Sequence, residues 1–340
     1  MKSRWLIPVV LVSLVALSLV ALGGFDAALA QQKWKGVATS RPVPQFALWI
    51  WLGEELDKRT NGQVKLEVVS LPELGLTGFE LVRVTRAGLV DVADIILAYV
   101  AGDIPVIEGV DLPGLFANLD TSVKAHVGFM AAIKKQEDKL GGIVLAGYLW
   151  PGQYIFSRKA IRTPDDLKGL KIRVYGTAQT EFARALGMEP VSIAFAETYT
   201  ALERGTVDAA ITGTYPGFAL KFFEVTKYLV DVNHGPVAGA FVISKRTWDK
   251  ASPELRATLT KLGEEFSERG WEIGRRTTKE GIDRNREKGM EIIPITPAMA
   301  ALTKETVSKV IIPSWVKRAG PDAKAIFNQY LAPHAGFTLP

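Results

Sequence analysis

The chain has 340 residues, 48% of them hydrophobic and 23% charged, with a net charge of +5 and no cysteine. That length supports a large buried core, and at about 100–200 residues per domain it implies about two domains. The composition excludes a disordered chain, and the lack of Cys excludes a disulfide framework, thiol catalysis, iron–sulfur clusters and Cys-ligated zinc.

The first thirty residues read as a leader rather than as fold. Met1–Trp5 carries Lys2 and Arg4, Leu6–Leu22 carries no charge, and Ala28-Leu29-Ala30 precedes Gln31. This is the layout of a secretory signal peptide over residues 1–30, cleaved near Ala30/Gln31. No later stretch is long and apolar enough to span a bilayer. The expected mature protein is therefore exported and soluble, and a Cys-free exported chain suits the bacterial periplasm.

The mature chain then alternates strand and helix signals. Trp34–Thr39 reads as a strand and Phe46–Lys58 as a helix stopped by Thr60-Asn61-Gly62. Val64–Ser70 alternates apolar and polar residues, and Phe79–Ala87 is helical up to Gly88. Val90–Ile96 is a strand, Val123–Lys139 a helix closed by Gly141-Gly142, and Ile143–Tyr148 a strand. The order predicts an α/β unit with a largely parallel sheet. The pattern restarts with strand Tyr154–Ser157. Thr163-Pro164-Asp165-Asp166 predicts a helix start, with Thr at the cap and Pro at the first helical position. Strands Lys171–Tyr175, Pro190–Ile193 and Val207–Ile211 alternate with helices Gln179–Leu186 and Ala196–Arg204, and Val237–Ser244 is a further strand.

After Ser252-Pro253 the pattern becomes helical to about Lys288. Leu255, Leu259, Leu262 and Phe266 mark one apolar face. The run is either one helix of about 50 Å, long enough to bridge two lobes, or two helices broken near Gly270 or Gly274.

Catalytic constellations are missing. His126, His234 and His334 are far apart in sequence, so the usual metal ligands are lacking, and there is no Gly-x-Ser-x-Gly, P-loop or dinucleotide fingerprint. Acid pairs such as Asp165-Asp166 and Glu264-Glu265 read as helix starts or solvated faces, and Asp91 and Asp94 as caps or turns flanking a strand. The basic excess is diffuse, which argues against nucleic acid. No cofactor and no metal are expected, and the pattern points to binding rather than turnover.

One segment is more specific. Asp166-Leu-Lys-Gly-Leu-Lys-Ile-Arg-Val174 is followed by Gly187-Met-Glu-Pro190 and by Phe195-Ala-Glu-Thr-Tyr-Thr-Ala-Leu-Glu-Arg-Gly-Thr-Val-Asp208. Lys221–Leu229, Asn233-His234, Leu74-Gly75 and Gly88–Asp91 extend the match. Over essentially the whole mature chain the sequence resembles DctP-type solute-binding proteins of tripartite ATP-independent periplasmic (TRAP) transporters. The resemblance implies a two-lobed α/β periplasmic binding protein, type II-like, with a ligand cleft at the hinge and the long helix spanning both lobes. It places lobe I at residues 31–150 plus 239–278 and lobe II at 151–238 plus 279–340. It also implies an organic-acid ligand and two integral membrane subunits as partners.

By the same resemblance Arg173 occupies the carboxylate-binding position, and a guanidinium suits that task because its planar fork matches a carboxylate. Gln153 stands where many members carry a second arginine, and Thr212 where many carry a ligand-contacting asparagine. Trp150, Tyr154, Tyr175, Phe195 and Tyr215 lie nearby in sequence. One fixed cation among several aromatics implies a monocarboxylate, such as an aromatic or 2-oxo acid. The competing readings are a subunit of another uptake or sensing system and, in a different class, a secreted enzyme.

Overall fold

The computed structural model describes residues 31–340, so the expected leader and its cleavage site lie outside the described residues. Eleven strands form two sheets: β1 (Gln32–Ala38), β2 (Val64–Ser70), β3 (Val92–Ile96), β4 (Gly142–Trp150), β5 (Gln153–Ser157), β6 (Lys171–Val174), β7 (Glu189–Ser192), β8 (Ala209–Gly213), β9 (Tyr228–Val230), β10 (Val237–Ser244) and β11 (Glu291–Ile293). The first sheet has the order β2-β1-β3-β10-β4 and the second β11-β9-β5-β8-β6-β7.

The chain passes from the first sheet to the second between β4 and β5, and returns between β9 and β10. β5 and β10 follow those crossovers, and each runs antiparallel to both of its neighbours. The other pairs are parallel, as strand–helix alternation predicts. Strand direction at a crossover is set by topology, which no local pattern encodes. The two crossovers are bonded together through the Gln153 N–H and the Gly235 carbonyl, 2.9 Å apart.

Helix Phe46–Arg59 presents Leu48, Trp49, Leu52 and Leu56 to the first sheet. There Trp49 packs edge-on against Phe241 and Phe266, with centroids 5.4 and 5.1 Å apart. Each such fully buried apolar side chain stabilises the fold by about 1.5–3 kcal/mol. A second cluster joins Phe156, Leu202, Phe222 and Leu229 under the second sheet.

The run after Ser252 is one helix, Pro253–Glu287, of 35 residues, capped by Ser252 Oγ accepting from the Leu255 N–H. It does not break at Gly270 or Gly274. Those glycines face β4, where a Cβ would come within 2.3 Å of Tyr148 Cβ and 2.5 Å of Leu149 Cβ. Farther along, Gly281 lies against the backbone of Thr214 and Tyr215, just beyond β8. The helix thus touches both sheets. The intrinsic cost of glycine in a helix is offset here by close packing.

Several expected boundaries shift. Helix Val123–Lys139 is found at Leu119–Lys134, begun by Asn118 Oδ1 accepting from the Thr121 N–H, and a separate turn follows at Glu137–Leu140. The expected helix at Pro164 is a single 3-10 turn, Pro164–Leu167, closed by a capping box between Thr163 and Asp166. Ala196–Arg204 is split into a 3-10 turn, Phe195–Glu197, and a helix, Thr198–Glu203. Helices after Pro297 brace the molecule from outside: Trp315 Nε1 donates to the Pro105 carbonyl, and Arg318 pairs with Glu108 at 2.9 Å.

Candidate functional site

The pocket lies where strand ends from both sheets meet, the position at which open α/β sheets bind ligands. It is lined by Thr39, Ile96, Tyr99, Trp150, Gln153, Arg173, Tyr175, Phe195, Thr212, Gly213, Pro216 and Val237. Six of the eight residues named from the sequence meet here: Trp150, Gln153, Arg173, Tyr175, Phe195 and Thr212.

Tyr154 and Tyr215 do not reach this pocket. Side chains alternate along a strand, so Tyr154 points away from the face that Gln153 serves. Its hydroxyl lies 3.4 Å from Asp231, in an adjoining cavity that Gln153 also borders. Tyr215 packs edge-on against Phe218, 5.7 Å between centroids, while its neighbour Pro216 lines the pocket.

Arg173 is the penultimate residue of β6 and is 1% exposed. Its Nε donates to the Ile193 carbonyl and its Nη1 to the Ile211 carbonyl, both at 2.9 Å. Its guanidinium carbon sits 4.6 Å from the Tyr175 ring centroid. Nη2 is buried and has no hydrogen-bond partner. Two carbonyls and a ring face therefore orient the cation, while no carboxylate pairs with it among the described residues. A charge removed from water in this way carries a desolvation cost of several kcal/mol that an anion in the pocket would offset.

A hydrogen-bonded chain supports this wall. The Tyr175 hydroxyl donates to Gln153 Oε1 at 2.7 Å, and Gln153 Nε2 donates to the Pro151 carbonyl at 2.6 Å. Gln179 accepts from the Tyr175 N–H and meets His234 at 3.0 Å. Burial pushes the Tyr175 phenol well above its ordinary range and pulls His234 down to about 4, so both stay neutral near pH 7.

Residues missed from sequence complete the opposite wall. Thr39 follows β1, and Tyr99 sits on the short helix Leu97–Val100, where an unbroken apolar run hides the turn. Asp94 is neither cap nor turn: it lies within β3 and accepts from the Thr39 N–H at 3.1 Å, from Thr39 Oγ1 at 2.7 Å and from the Tyr148 hydroxyl. Burial raises its carboxyl to about 6. No three His, Asp or Glu side chains cluster as metal ligands among the described residues.

Two α/β lobes, a double crossover and a pocket between them define a two-lobed solute-binding protein. Residues 39–317 match the DctP bacterial extracellular solute-binding proteins, family 7, and the chain belongs to that family. The 2,3-diketo-L-gulonate-binding periplasmic protein of Escherichia coli K12 is 30% identical over 283 residues, covering 82% of this chain and 86% of the relative. DctP6 of Bordetella pertussis, an extracytoplasmic solute receptor that binds pyroglutamic acid, superposes with a TM-score of 0.83 at 26% identity, over 88% of this chain and 99% of that one. A TRAP periplasmic solute-binding protein from Desulfovibrio salexigens, with bound orotic acid, shares the fold with a TM-score of 0.83 at 22% identity, over 90% of this chain and 99% of that one. No helix among the described residues is long and apolar enough to cross a membrane.

Proposed function

We propose that this solute receptor captures a small organic monocarboxylate in the interlobe pocket, with Arg173 as the anchor, and hands it unchanged to the two membrane subunits of a TRAP transporter. The observation that carries this reading is a buried guanidinium with one unpartnered nitrogen and no carboxylate partner. Relatives whose names specify diketogulonate and pyroglutamic acid, both organic acids, support it. Arg173 is the only cation lining the pocket among the described residues, which disfavours a second carboxylate on the ligand. The aromatic wall of Tyr99, Trp150, Tyr175 and Phe195 suits an apolar or cyclic body.

In this reading the leader, residues 1–30, is removed near Ala30/Gln31 and the mature receptor works in the periplasm. Lobe I (31–150 and 239–278) and lobe II (151–238 and 279–340) close on the solute about the crossovers. The test is a thermal-shift screen of organic acids, followed by calorimetry on Arg173→Ala with the strongest monocarboxylate. Losing one partner of a buried charge pair costs about 2–5 kcal/mol, so binding should weaken by roughly thirtyfold or more. Binding within about threefold of wild type would remove Arg173 as the anchor. Strong shifts with succinate or malate alone would overturn the monocarboxylate reading.

A further inference from the structure

Several of the pocket's polar side chains are already committed within the protein. Thr39 Oγ1 is committed to Asp94, and the Gln153 amide is committed to Tyr175 and Pro151. Among the polar side-chain atoms that line the pocket, two fully buried ones make no hydrogen bond of ordinary geometry, Arg173 Nη2 and Trp150 Nε1, although the Tyr99 and Tyr148 hydroxyls lie close to them. Both are donors. Trp150 ends β4 in the first lobe and is 6% exposed, while Arg173 is one residue from the end of β6 in the second. An indole N–H that merely walled the pocket would leave a donor desolvated for nothing, and buried donors are nearly always satisfied.

Building on the carboxylate reading, we infer that Trp150 is the second polar anchor of the site: its indole N–H donates to an uncharged oxygen of the ligand, a carbonyl or hydroxyl. The ligand class is then an oxo-, hydroxy- or lactam-bearing monocarboxylate rather than a plain aliphatic or aromatic acid. The second acceptor is uncharged because the pocket's other side-chain donors, Trp150, Tyr99 and Thr212, are all neutral, and a buried carboxylate held by neutral donors alone is costly. The two donors come from different lobes, so a ligand that carries both acceptors bridges the lobes. A bare carboxylate engages the second lobe alone.

Three matched pairs of probes separate the cases: 2-oxobutanoate with butanoate, mandelate with phenylacetate, and L-pyroglutamate with cyclopentanecarboxylate. Calorimetry on the mature protein should show the oxygen-bearing member of any binding pair held about three- to tenfold tighter or more, the worth of one neutral hydrogen bond. Trp150→Phe, which keeps an aromatic ring but no N–H, should erase that preference, read as the ratio of the two affinities within a pair. Equal affinities within the pairs, or an equal loss for both members in Trp150→Phe, overturn the inference while the carboxylate reading stands. Preference in the unmodified protein is readable even if the variant fails to fold. If no member of any pair binds, the carboxylate reading fails and this inference falls with it.

Discussion

The guanidinium of Arg173 lies over the ring of Tyr175, 4.6 Å from its centroid, and the hydroxyl of that ring is bonded to Gln153. A residue of β6, the segment after it and the first residue of β5 are thus locked together beside the crossover. Tyr175→Phe keeps the ring face but strands the Gln153 oxygen, and an unmet buried acceptor costs about 1–3 kcal/mol. The variant should fold with a lowered melting temperature and bind organic acids more weakly. Unchanged melting and affinity would show that the chain does not position the cation. Arg173→Lys should bind between wild type and Arg173→Ala, because it keeps the charge but not the fork.

Lobe closure gives a second prediction. The crossovers are short, and Gln153 and Gly235 tie them to each other. Gly152 is also bonded to Thr278 on the long helix, at 2.9 Å. Such a hinge concentrates motion in a few backbone torsions. Small-angle scattering should show a smaller radius of gyration with a saturating ligand than without. An unchanged radius with a ligand that binds by calorimetry would rule closure out.

Much of this fold is legible in the sequence where local signals are strong. Val64–Ser70 and Val237–Ser244 are strands with the residues expected, and the Ser252-Pro253 start opens the long helix where capping rules place it. The motif residues Arg173, Gln153 and Thr212 converge on one pocket. Less was legible where long-range geometry decides. Nothing local reports that β5 and β10 run against their neighbours. Asp94 reads as a capping acid until Thr39 and Tyr148 are seen around it. Tyr154 and Tyr215 flank the pocket without lining it, a matter of side-chain direction that sequence spacing does not report.

The glycines of the long helix yield a stability prediction with an internal control. Gly128, on helix Leu119–Lys134, is exposed and has nothing within 4 Å of a built Cβ. Gly128→Ala should therefore stabilise by about 0.5–1 kcal/mol, the usual gain from replacing a helical glycine. Gly281→Ala makes the same helical exchange, but its Cβ would come within 2.2 Å of the Tyr215 backbone nitrogen. Overpacking costs about 1–3 kcal/mol, so this variant should be destabilised despite the helical gain. Denaturant melts of both variants compare the signs directly. Equal stabilisation by the two would mean that the helix does not bear closely on the second lobe.

Asp94 predicts a pH dependence of stability. Its carboxyl is fully buried beside Thr39 and Tyr148, and desolvation lifts it from 3.8 to about 6, against the pull of their hydrogen bonds. The folded protein therefore holds a proton that the unfolded chain has already released between about pH 4 and 6. The contribution of this site is complete below the unfolded value and is lost as the pH rises through about 6. At about 1.36 kcal/mol per pKa unit the loss is on the order of 3 kcal/mol. His234 works in the opposite direction: burial lowers it from 6.5 to about 4, so its contribution is present above 6.5 and lost as the pH falls through 4. The two partly cancel in wild type, and the wild-type curve alone does not isolate Asp94. Asp94→Asn removes the titrating carboxyl. Subtracting its stability from that of wild type, pH by pH from 4 to 8, should give a difference that declines as the pH rises through about 6 and is flat above 7. A difference that is flat throughout would show that Asp94 titrates at its ordinary value, with its charge fully accommodated by Thr39 and Tyr148.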